Sequence, residues 1–286
     1  MTVRITTLVE NTVSWANLLG EWGLSMFVET DDYVFLSDAG TTDAAARNAK
    51  VLNVPLSDVE AITVSHGHFD HTGGLPHLFQ LMRKGVQVIG HPAMWERKYA
   101  YHPGQQMCGY DIGDDYEFIG VPFAREELEK WGARFVMETA PVWLSDNVVT
   151  SGEVPMVTGY ETIDPMLLVL EDGEYKPDPL ADDLSTFVKT QKGLVAVLGC
   201  AHRGMVNHLI RGLELTGMDR VYAVVGGTHL IAADAARLDK TIKALRDMGV
   251  QKIAASHCTG LKAACVLERE FADDFVFNNA GSRLEF

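Results

Sequence analysis

The stretch Thr63-Val-Ser-His66-Gly-His68-Phe-Asp70-His71-Thr72-Gly-Gly74 decides how the rest of this sequence is interpreted. It places four potential metal ligands within six residues, directly after an apolar run that is typical of a buried strand. On a continuing strand, Asp70 and His71 would point to opposite faces. Convergence of the ligands therefore requires a tight turn, which the neighbouring glycines permit. The stretch predicts a metal-binding loop at the end of a strand.

The surrounding sequence extends this pattern. Upstream, Tyr33-Val-Phe-Leu-Ser-Asp38-Ala-Gly40 reads as a strand that ends in an Asp-x-Gly turn, and Gly73-Gly74-Leu75 follows the ligands. Together these pieces resemble the His-x-His-x-Asp-His signature of the metallo-β-lactamase superfamily. The resemblance implies an α/β (α+β) fold, a four-layer αββα sandwich, which we expect to form a single domain over residues 1–286.

Composition limits the classes of function. The chain has 286 residues, 47% hydrophobic and 22% charged, as in an ordinary soluble globular protein. Its formal net charge of −15 argues against a nucleic-acid partner, because phosphate backbones are held mainly by Lys and Arg. No stretch resembles a signal peptide or a membrane span, so no membrane partner is expected and a cytoplasmic location is the default expectation. The four cysteines, Cys108, Cys200, Cys258 and Cys265, show no paired spacing and are expected to be reduced thiols. The sequence does not indicate an oligomeric state.

Strands alternate with helices along most of the chain, which favours an α/β architecture. Strands are predicted at 3–9, 24–29, 33–36, 61–65, 86–89, 135–137, 148–150, 167–170, 185–189, 194–198, 221–225, 253–255 and 275–277, and helices at 41–53, 76–83, 125–131, 205–215, 232–248 and 261–271. Residues 91–132 lack strong periodicity and are rich in tyrosine and glycine. We expect this insertion to be a lid over the binding site, because long irregular insertions in compact domains tend to be lids or binding loops.

Three later strand ends carry polar clusters: Gly199-Cys200-Ala-His202-Arg203-Gly204, Gly226-Gly-Thr228-His229-Leu230 and Ser256-His257-Cys258-Thr259-Gly260. Each lies between an apolar run and a helical stretch, so all three are expected at one edge of the sheet, beside the first loop. The candidate metal ligands are His66, His68, Asp70, His71, Cys200, His202 and His257.

The ligand set departs from the pattern of the superfamily at two points. Where many members have Gly-Asp, this chain has Gly199-Cys200, so either Cys200 or His202 takes the bridging position; His202 is favoured, with Cys200 close by. The histidine that usually precedes that position is absent, and Asp178, Asp182 or Asp183 is an open substitute. One or two divalent ions are expected, with zinc as the first choice and iron or manganese as alternatives.

Other residues are predicted to act on a small-molecule substrate. Asp70 and His229 are the catalytic candidates, Asp70 because it would orient the attacking group and His229 because an imidazole can transfer a proton near neutral pH. The substrate-binding candidates are His91, Arg203 and Thr228.

Several segments resemble one branch of the superfamily, the 7,8-dihydropterin-6-methyl-4-(β-D-ribofuranosyl)-aminobenzene-5′-phosphate synthases. They are Leu8-Val-Glu10-Asn11, Gly23-Leu-Ser25, Gly199 to Asn207, Gly226 to Leu230 and Ser256 to Gly260. The first expectation is a metal-dependent hydrolase that acts on a small phosphorylated or ester substrate through a metal-bound hydroxide, since a bound cation lowers the pKa of water to about 7. One alternative is a metal-dependent transferase that condenses a pterin diphosphate with a ribofuranosyl-aminobenzene phosphate. Another is a non-catalytic metal or redox sensor in which Cys200 responds to oxidants.

Overall fold

A computed structural model describes residues 1–104, 106–107, 110–111 and 115–286 of the chain, with side chains for 1–104 and 115–286. Cys108 and the side chain of Tyr110 therefore lie outside the described residues. The first half contains β1 (Val3–Val9), β2 (Ser25–Thr30), β3 (Val34–Ser37), α1 (Ala44–Leu52), β4 (Ala61–Thr63), α2 (Phe69–Thr72), α3 (Leu75–Phe79), β5 (Gln87–Gly90), β6 (Lys98–Tyr101), β7 (Gln106–Met107), β8 (Tyr110–Asp111), β9 (Tyr116–Phe118), α4 (Arg125–Lys130) and β10 (Arg134–Met137). The second half contains β11 (Val148–Thr150), β12 (Leu167–Glu171), β13 (Glu174–Pro177), β14 (Ser185–Thr190), β15 (Gly193–Leu198), α5 (Met205–Thr216), β16 (Val221–Gly227), α6 (Ala235–Asp247), β17 (Lys252–Ser256), α7 (Leu261–Phe271), β18 (Phe275–Phe277) and β19 (Arg283–Glu285).

Two large sheets carry the architecture. The seven-stranded sheet has the order β10-β5-β4-β3-β2-β1-β19, and the six-stranded sheet has the order β11-β14-β15-β16-β17-β18. Strands β3, β4 and β5 are parallel neighbours in the first sheet, as are β15, β16, β17 and β18 in the second. Parallel neighbours end at the same edge of a sheet, so the loops that follow them lie side by side.

Three apolar clusters bind these layers together. One packs α1, α3 and α4 on the outer face of the first sheet, and includes Phe27, Leu36 and Ile62. A second packs α5, α6 and α7 on the outer face of the second sheet. The third fills the space between the sheets, where Met26 and Phe35 meet Val195 and Val225. Helix, sheet, sheet and helix therefore form the predicted αββα sandwich, which is confirmed.

The insertion is more regular than predicted. Strands β6 and β9 from residues 91–132 join β12 and β13 in a separate four-stranded sheet of order β13-β12-β6-β9. The β12–β13 hairpin turns at Asp172 and Gly173, both with positive φ, as an Asp-Gly turn demands. The partner strand of β6 is about seventy residues away in the sequence, so the local pattern of residues 91–132 could not reveal the pairing. The expectation of an irregular segment was wrong for these strands, whereas its role as a lid stays a prediction.

The ends of the site-forming strands have an unusual backbone. Asp38, Ala201, His229 and His257 all have φ between 48° and 61°, in the left-handed region that residues other than glycine rarely adopt. Each follows the end of a strand, β3, β15, β16 or β17 respectively. Residues held in this conformation cluster at functional sites, where the surrounding structure has to enforce them. The four positions therefore mark the edge at which the site is built.

Two local predictions needed correction. The loop predicted for the first ligands contains a helical turn, α2, so that Asp70 and His71 leave the strand direction. His71 packs against His66, and Asp70 lies beside His257. The helix predicted from 76 to 83 ends at Phe79, before the Lys84-Gly85 turn, in which Gly85 has φ of 86°. Within the described part of the chain, no helix has both the length and the apolar character needed to cross a membrane.

Candidate metal centre

One group of histidines converges where the first loop meets the loop after β15. Nε2 of His66 lies 2.9 Å from Nδ1 of His68 and 3.2 Å from Nε2 of His202. In a tetrahedral zinc site with Zn–N bonds of about 2.0–2.1 Å, neighbouring ligand atoms are about 3.3–3.4 Å apart. Three imidazole nitrogens at this spacing fit the donor set of one divalent ion. His66, His68 and His202 are the residues that would hold it.

A second group lies beside the first. Nε2 of His257 is 3.2 Å from Nε2 of His71 and 3.3 Å from Oδ2 of Asp70, and the sulfur of Cys200 is 3.4 Å from Nε2 of His71. All of these side chains are buried. Imidazole, carboxylate and thiolate are all donors that zinc accepts. Thus the structure brings the seven predicted ligands together. His202 lies in the first group, whereas Cys200 converges with residues of both groups, including His71 and His202.

The pKa values of the histidines distinguish the two groups. Burial, reinforced by the neighbouring imidazoles, lowers the pKa of His66 and of His202 well below the ordinary value. Burial likewise lowers the pKa of His68 to about 4. These three rings are neutral at pH 7 and present lone pairs to one another, which is the arrangement that a bound cation would stabilise.

His71, in contrast, is protonated at pH 7. Burial disfavours its charge, but the carboxylates of Asp38 and Asp70 outweigh burial and raise its pKa to about 9. Burial likewise opposes the charge of Asp70, yet His71 and His257 hold its pKa well below its usual range. The second group therefore combines an ionised carboxylate with an imidazole that has to lose a proton before it can bind a cation.

Each ligand-bearing loop is held from outside by a buried carboxylate. Asp38 accepts hydrogen bonds from the backbone N–H of Ser65 (2.7 Å) and pairs with Nδ1 of His71 (2.8 Å). The other contacts of this kind are Asp182 with the N–H of Gly67 (2.8 Å), Asp183 with that of Arg203 (2.7 Å) and Glu10 with that of His257 (2.6 Å). Carboxylates that accept from backbone N–H groups fix the loops and orient the imidazoles.

Comparison with known proteins adds to this geometry. Residues 23–141 match the Lactamase_B family, the metallo-beta-lactamase superfamily. The chain is 32% identical, over 99% of its length and 97% of the relative's, to 7,8-dihydropterin-6-methyl-4-(beta-D-ribofuranosyl)-aminobenzene-5'-phosphate synthase of Methanocaldococcus jannaschii. This chain belongs to the metallo-beta-lactamase superfamily. The predicted resemblance is thereby confirmed, including its branch.

Two further relatives cover the full length of the chain. A second, uncharacterized protein of Methanocaldococcus jannaschii is 27% identical over 97% of this chain and 98% of its own length. The crystal structure of Tm1679, a metal-dependent hydrolase of the beta-lactamase superfamily, superposes with a TM-score of 0.81 at 27% identity, covering 99% of both chains. Membership of the superfamily implies divalent metal binding, and the side chains of the two groups described above could hold such ions.

Asp178, Asp182 and Asp183, the possible substitutes for the missing superfamily histidine, make other contacts. Nζ of Lys98 lies 2.8 Å from Asp178 and 3.0 Å from Asp182, and all three side chains are buried. Asp183 pairs with Nε2 of His208 at 3.0 Å in addition to its backbone contact. Within the described residues, none of the three aspartates belongs to a group of converging metal ligands. Their contacts support the loops.

A cavity of about 470 Å³ opens above the two groups. Asp70, Cys200, His202 and His257 lie on its floor, and mainly apolar surface forms its walls. The insertion contributes Ala100, His102, Glu117 and Ile119 to the wall. A cavity of this size suits a small molecule.

His229 lies on the same wall and its environment is distinctive. Its ring is 4.0 Å from that of His202, centroid to centroid, and its Nδ1 is buried without a hydrogen-bond partner among the described residues. Burial opposes its charge, but hydrogen bonding with Cys258 and the charge of Asp183 raise its pKa above the ordinary value. An imidazole with an unpaired nitrogen beside a metal position can donate a proton to a bound molecule.

The predicted substrate-binding residues are placed differently. His91 accepts from the N–H of Ala93 (3.1 Å) and contacts Glu153 (3.1 Å). Arg203 donates to the carbonyl oxygens of Val154 and Pro179, and Thr228 pairs with Thr259. None of the three lines the cavity, so their contacts give no support to the prediction that they bind substrate.

The site also contains residues that were not predicted from the sequence. Glu10 and Asn11 both contact His257, and Asn11 reaches its Nδ1 at 3.0 Å. Trp22 packs its ring 5.1 Å from that of His257 and lines the cavity while remaining 52% exposed. A carboxylate at the end of the apolar strand β1 was the available signal for Glu10. Nothing local to Trp22 indicated its contact.

Proposed function

We propose that this protein is a metal-dependent hydrolase that acts on a small phosphorylated or ester substrate. The observation that supports the proposal is the convergence of His, Cys and Asp side chains that could hold metal ions at one cavity of about 470 Å³. Paired divalent ions supply Lewis acidity and activate water at neutral pH when they are bound. The full-length similarity to a metal-dependent hydrolase supports the same class of reaction.

Asp70 and His229 have different roles in the proposed reaction. Asp70 stays ionised because its pKa is held low, so it can accept a hydrogen bond from the attacking water and orient it. His229, with its raised pKa and unpaired Nδ1, donates a proton to the oxygen of the leaving group. The apolar walls exclude bulk water and strengthen these electrostatic interactions.

The experiment that tests the proposal uses purified full-length protein from which metal has been removed by a chelator. Zinc, manganese or iron(II) is then added, and release of nitrophenol from bis(4-nitrophenyl) phosphate and from 4-nitrophenyl acetate is measured. Turnover that appears only with added metal and disappears in Asp70→Ala supports the hydrolase. If no metal restores cleavage of either compound, the hydrolase proposal fails for these substrate classes.

A transferase is the second candidate, and one observation favours it. The 32% identical relative that matches nearly the whole chain is a synthase for a dihydropterin-methyl-ribofuranosyl-aminobenzene phosphate. In that reading, the protein joins a pterin diphosphate to a ribofuranosyl-aminobenzene phosphate, and diphosphate leaves. His229 and the cations at the two ligand groups would then neutralise the charge of the departing diphosphate rather than assist attack by water.

Dependence on the second substrate separates the two candidates. Diphosphate release is measured from dihydropterin-6-methyl diphosphate with and without the aminobenzene partner. Release that requires the partner and yields a joined product identifies a transferase, whereas equal release without it identifies a hydrolase. The sensor alternative is not carried forward, because the full-length relative is an enzyme.

A further inference from the structure

A second cysteine, Cys258, lies at the metal centre and was not among the predicted ligands. It follows His257 in the one-turn 3₁₀ helix after β17, is 3% exposed and lines the cavity. The ligand atoms of Cys200, His257 and Cys258 all lie within 4.8 Å of one another. Three donors at such separations can reach one ion with small adjustments, because Zn–S bonds are about 2.3 Å long and Zn–N bonds about 2.0–2.1 Å.

The backbone between the two cysteines leaves room for the Cys258 sulfur beside Cys200. Cys200 follows β15 and Cys258 follows β17, and β16 lies between these strands. A Cβ atom at Gly227, at the end of β16, would come within 2.8 Å of the Cys258 sulfur and 2.2 Å of the carbonyl oxygen of Gly199. Only a residue without a side chain fits here. The Cys258 sulfur therefore lies 3.4 Å from the carbonyl oxygen of Cys200, to which its S–H donates, and it would lose this proton on binding a metal.

The sulfur of Cys258 also has the kind of polar support that a ligand thiolate needs. The backbone N–H of His229 points at it, with a nitrogen–sulfur distance of 3.2 Å. His229 achieves this with a φ of 48°, a conformation that costs free energy for a residue with a side chain. A buried anionic sulfur requires such a donor, because an unpaired buried charge is costly.

From this geometry we infer that Cys258 is a metal ligand, so that Cys200 and Cys258 supply two sulfurs to the second metal position together with His257. The inference concerns the composition of the metal centre and does not depend on which reaction the protein catalyses. Two thiolates make this position softer than one built from carboxylate and imidazole alone. It therefore selects zinc or iron(II) over magnesium and manganese.

X-ray absorption at the zinc edge tests the inference by counting sulfur neighbours at about 2.3 Å. The full-length protein is loaded with zinc under anaerobic conditions in a buffer free of thiols, and bound zinc per chain is measured in parallel. We expect two sulfurs per chain in the wild type, one in Cys258→Ser and one in Cys200→Ser. Cys265→Ser, which alters an exposed cysteine on α7, is the matched control and keeps two.

Cobalt substitution gives an independent count, because the near-ultraviolet absorption from thiolate to cobalt grows with the number of thiolates. It should fall about twofold in Cys258→Ser and in Cys200→Ser and vanish in the double variant. One sulfur per chain in the wild type, or an unchanged band in Cys258→Ser, would overturn the inference and leave Cys258 as a thiol that accepts the His229 N–H and donates to the carbonyl oxygen of Cys200. If Cys258→Ser does not fold, the sulfur count of the wild-type protein decides alone.

Discussion

Asp182 connects the backbone of Gly67, which lies between the first two candidate ligands, to the buried ammonium group of Lys98. Its Oδ2 accepts the N–H of Gly67 at 2.8 Å, and its Oδ1 lies 3.0 Å from Nζ of Lys98. Lys98 belongs to β6 in the insertion sheet. A single carboxylate thus fixes the position of the metal-binding loop relative to the insertion that forms a wall of the cavity.

Lys98→Met should destabilise the protein strongly, since it leaves the buried carboxylates of Asp178 and Asp182 without their cation. Breaking a buried ion pair by removing one partner costs about 3–5 kcal/mol of unfolding free energy. The control is Lys176→Met, whose exposed pair with Glu171 should contribute about 0–1 kcal/mol. Urea unfolding measures both, and equal effects would show that the buried group contributes nothing beyond a surface pair.

His68→Ala should lose metal and activity together while keeping its fold. The side chain of His68 faces the cavity and the neighbouring histidines rather than the apolar layers. Metal content after dialysis should fall, whereas the circular dichroism spectrum and the unfolding midpoint in chelator should match those of the metal-free wild type. His77→Ala, which changes an exposed histidine of α3, should retain metal. Global unfolding of His68→Ala would indicate a structural metal site instead of a catalytic one.

Metal affinity at the two positions should respond differently to pH. The folded-state pKa of His71 is about 9, above its ordinary value of 6.5. Between pH 6.5 and 9 the ring therefore keeps its proton, which has to leave when a cation binds. Affinity at the second position should therefore rise about tenfold from pH 7 to 8 and about fivefold from pH 8 to 9, where His71 reaches its pKa.

The first position provides the contrast, because the lowered pKa values of His66, His68 and His202 keep these rings neutral above pH 6.5. Competition with a chelator would be measured at pH 7, 8 and 9. The His202→Ala variant lacks a ligand of the first position, so its metal affinity reports the second position. The His257→Ala variant lacks a ligand of the second position and reports the first. Parallel pH profiles for the two variants would contradict the assignment.

His229→Ala should lower kcat by about 10²–10⁴-fold without loss of metal, if His229 donates the proton to the leaving group. His229→Asn separates chemistry from backbone strain, because asparagine tolerates the left-handed conformation that this residue adopts. Both variants should be equally slow, and the arm of the pH–rate profile that reports the acid should disappear. Recovery of activity in His229→Asn alone would assign a purely conformational role.

Trp22→Ala should raise KM for bis(4-nitrophenyl) phosphate. The indole lines the cavity beside His257 and is half exposed, so it is free to stack on an aromatic group of a bound molecule. Aromatic pairs contribute about 0.5–1.5 kcal/mol beyond the area they bury, which corresponds to a rise of roughly two- to tenfold. Trp15→Ala, at another exposed tryptophan of the same loop that does not line the cavity, should leave KM unchanged.

The layered fold could be predicted because its signals are local. Apolar runs such as Leu194 to Leu198 mark buried strands, and the glycines and polar residues after them mark the edge where loops meet. The strands β6 and β12 could not be paired from the sequence, since register between distant segments depends on packing rather than on either segment alone. The same holds for Lys98, which looks like a surface lysine until its two carboxylates are placed beside it.

The candidate site was predictable to the extent that each ligand sits in a recognisable motif. The sequence left Cys200 and His202 as competitors, and the structure brings both to the same centre, where their ligand atoms converge with that of His229. Asp182 and Asp183 were considered only as possible ligands, because nothing local to an acidic loop predicts that its carboxylates accept hydrogen bonds from the backbone of the ligand loops. Substrate binding by Arg203 stays a prediction, and its guanidinium donates to two carbonyl oxygens in this structure.

The support of His257 by Glu10, across 247 residues, ties the second group of ligands to strand β1. Strand β1 also pairs with β19, and Thr7 contacts Asn278, so segments far apart in the sequence meet beside His257. His66 and His68, by contrast, lie together in the loop after β4. Loosening of the contact between β1 and the segment after β17 would therefore displace His257 and leave these two histidines in their loop.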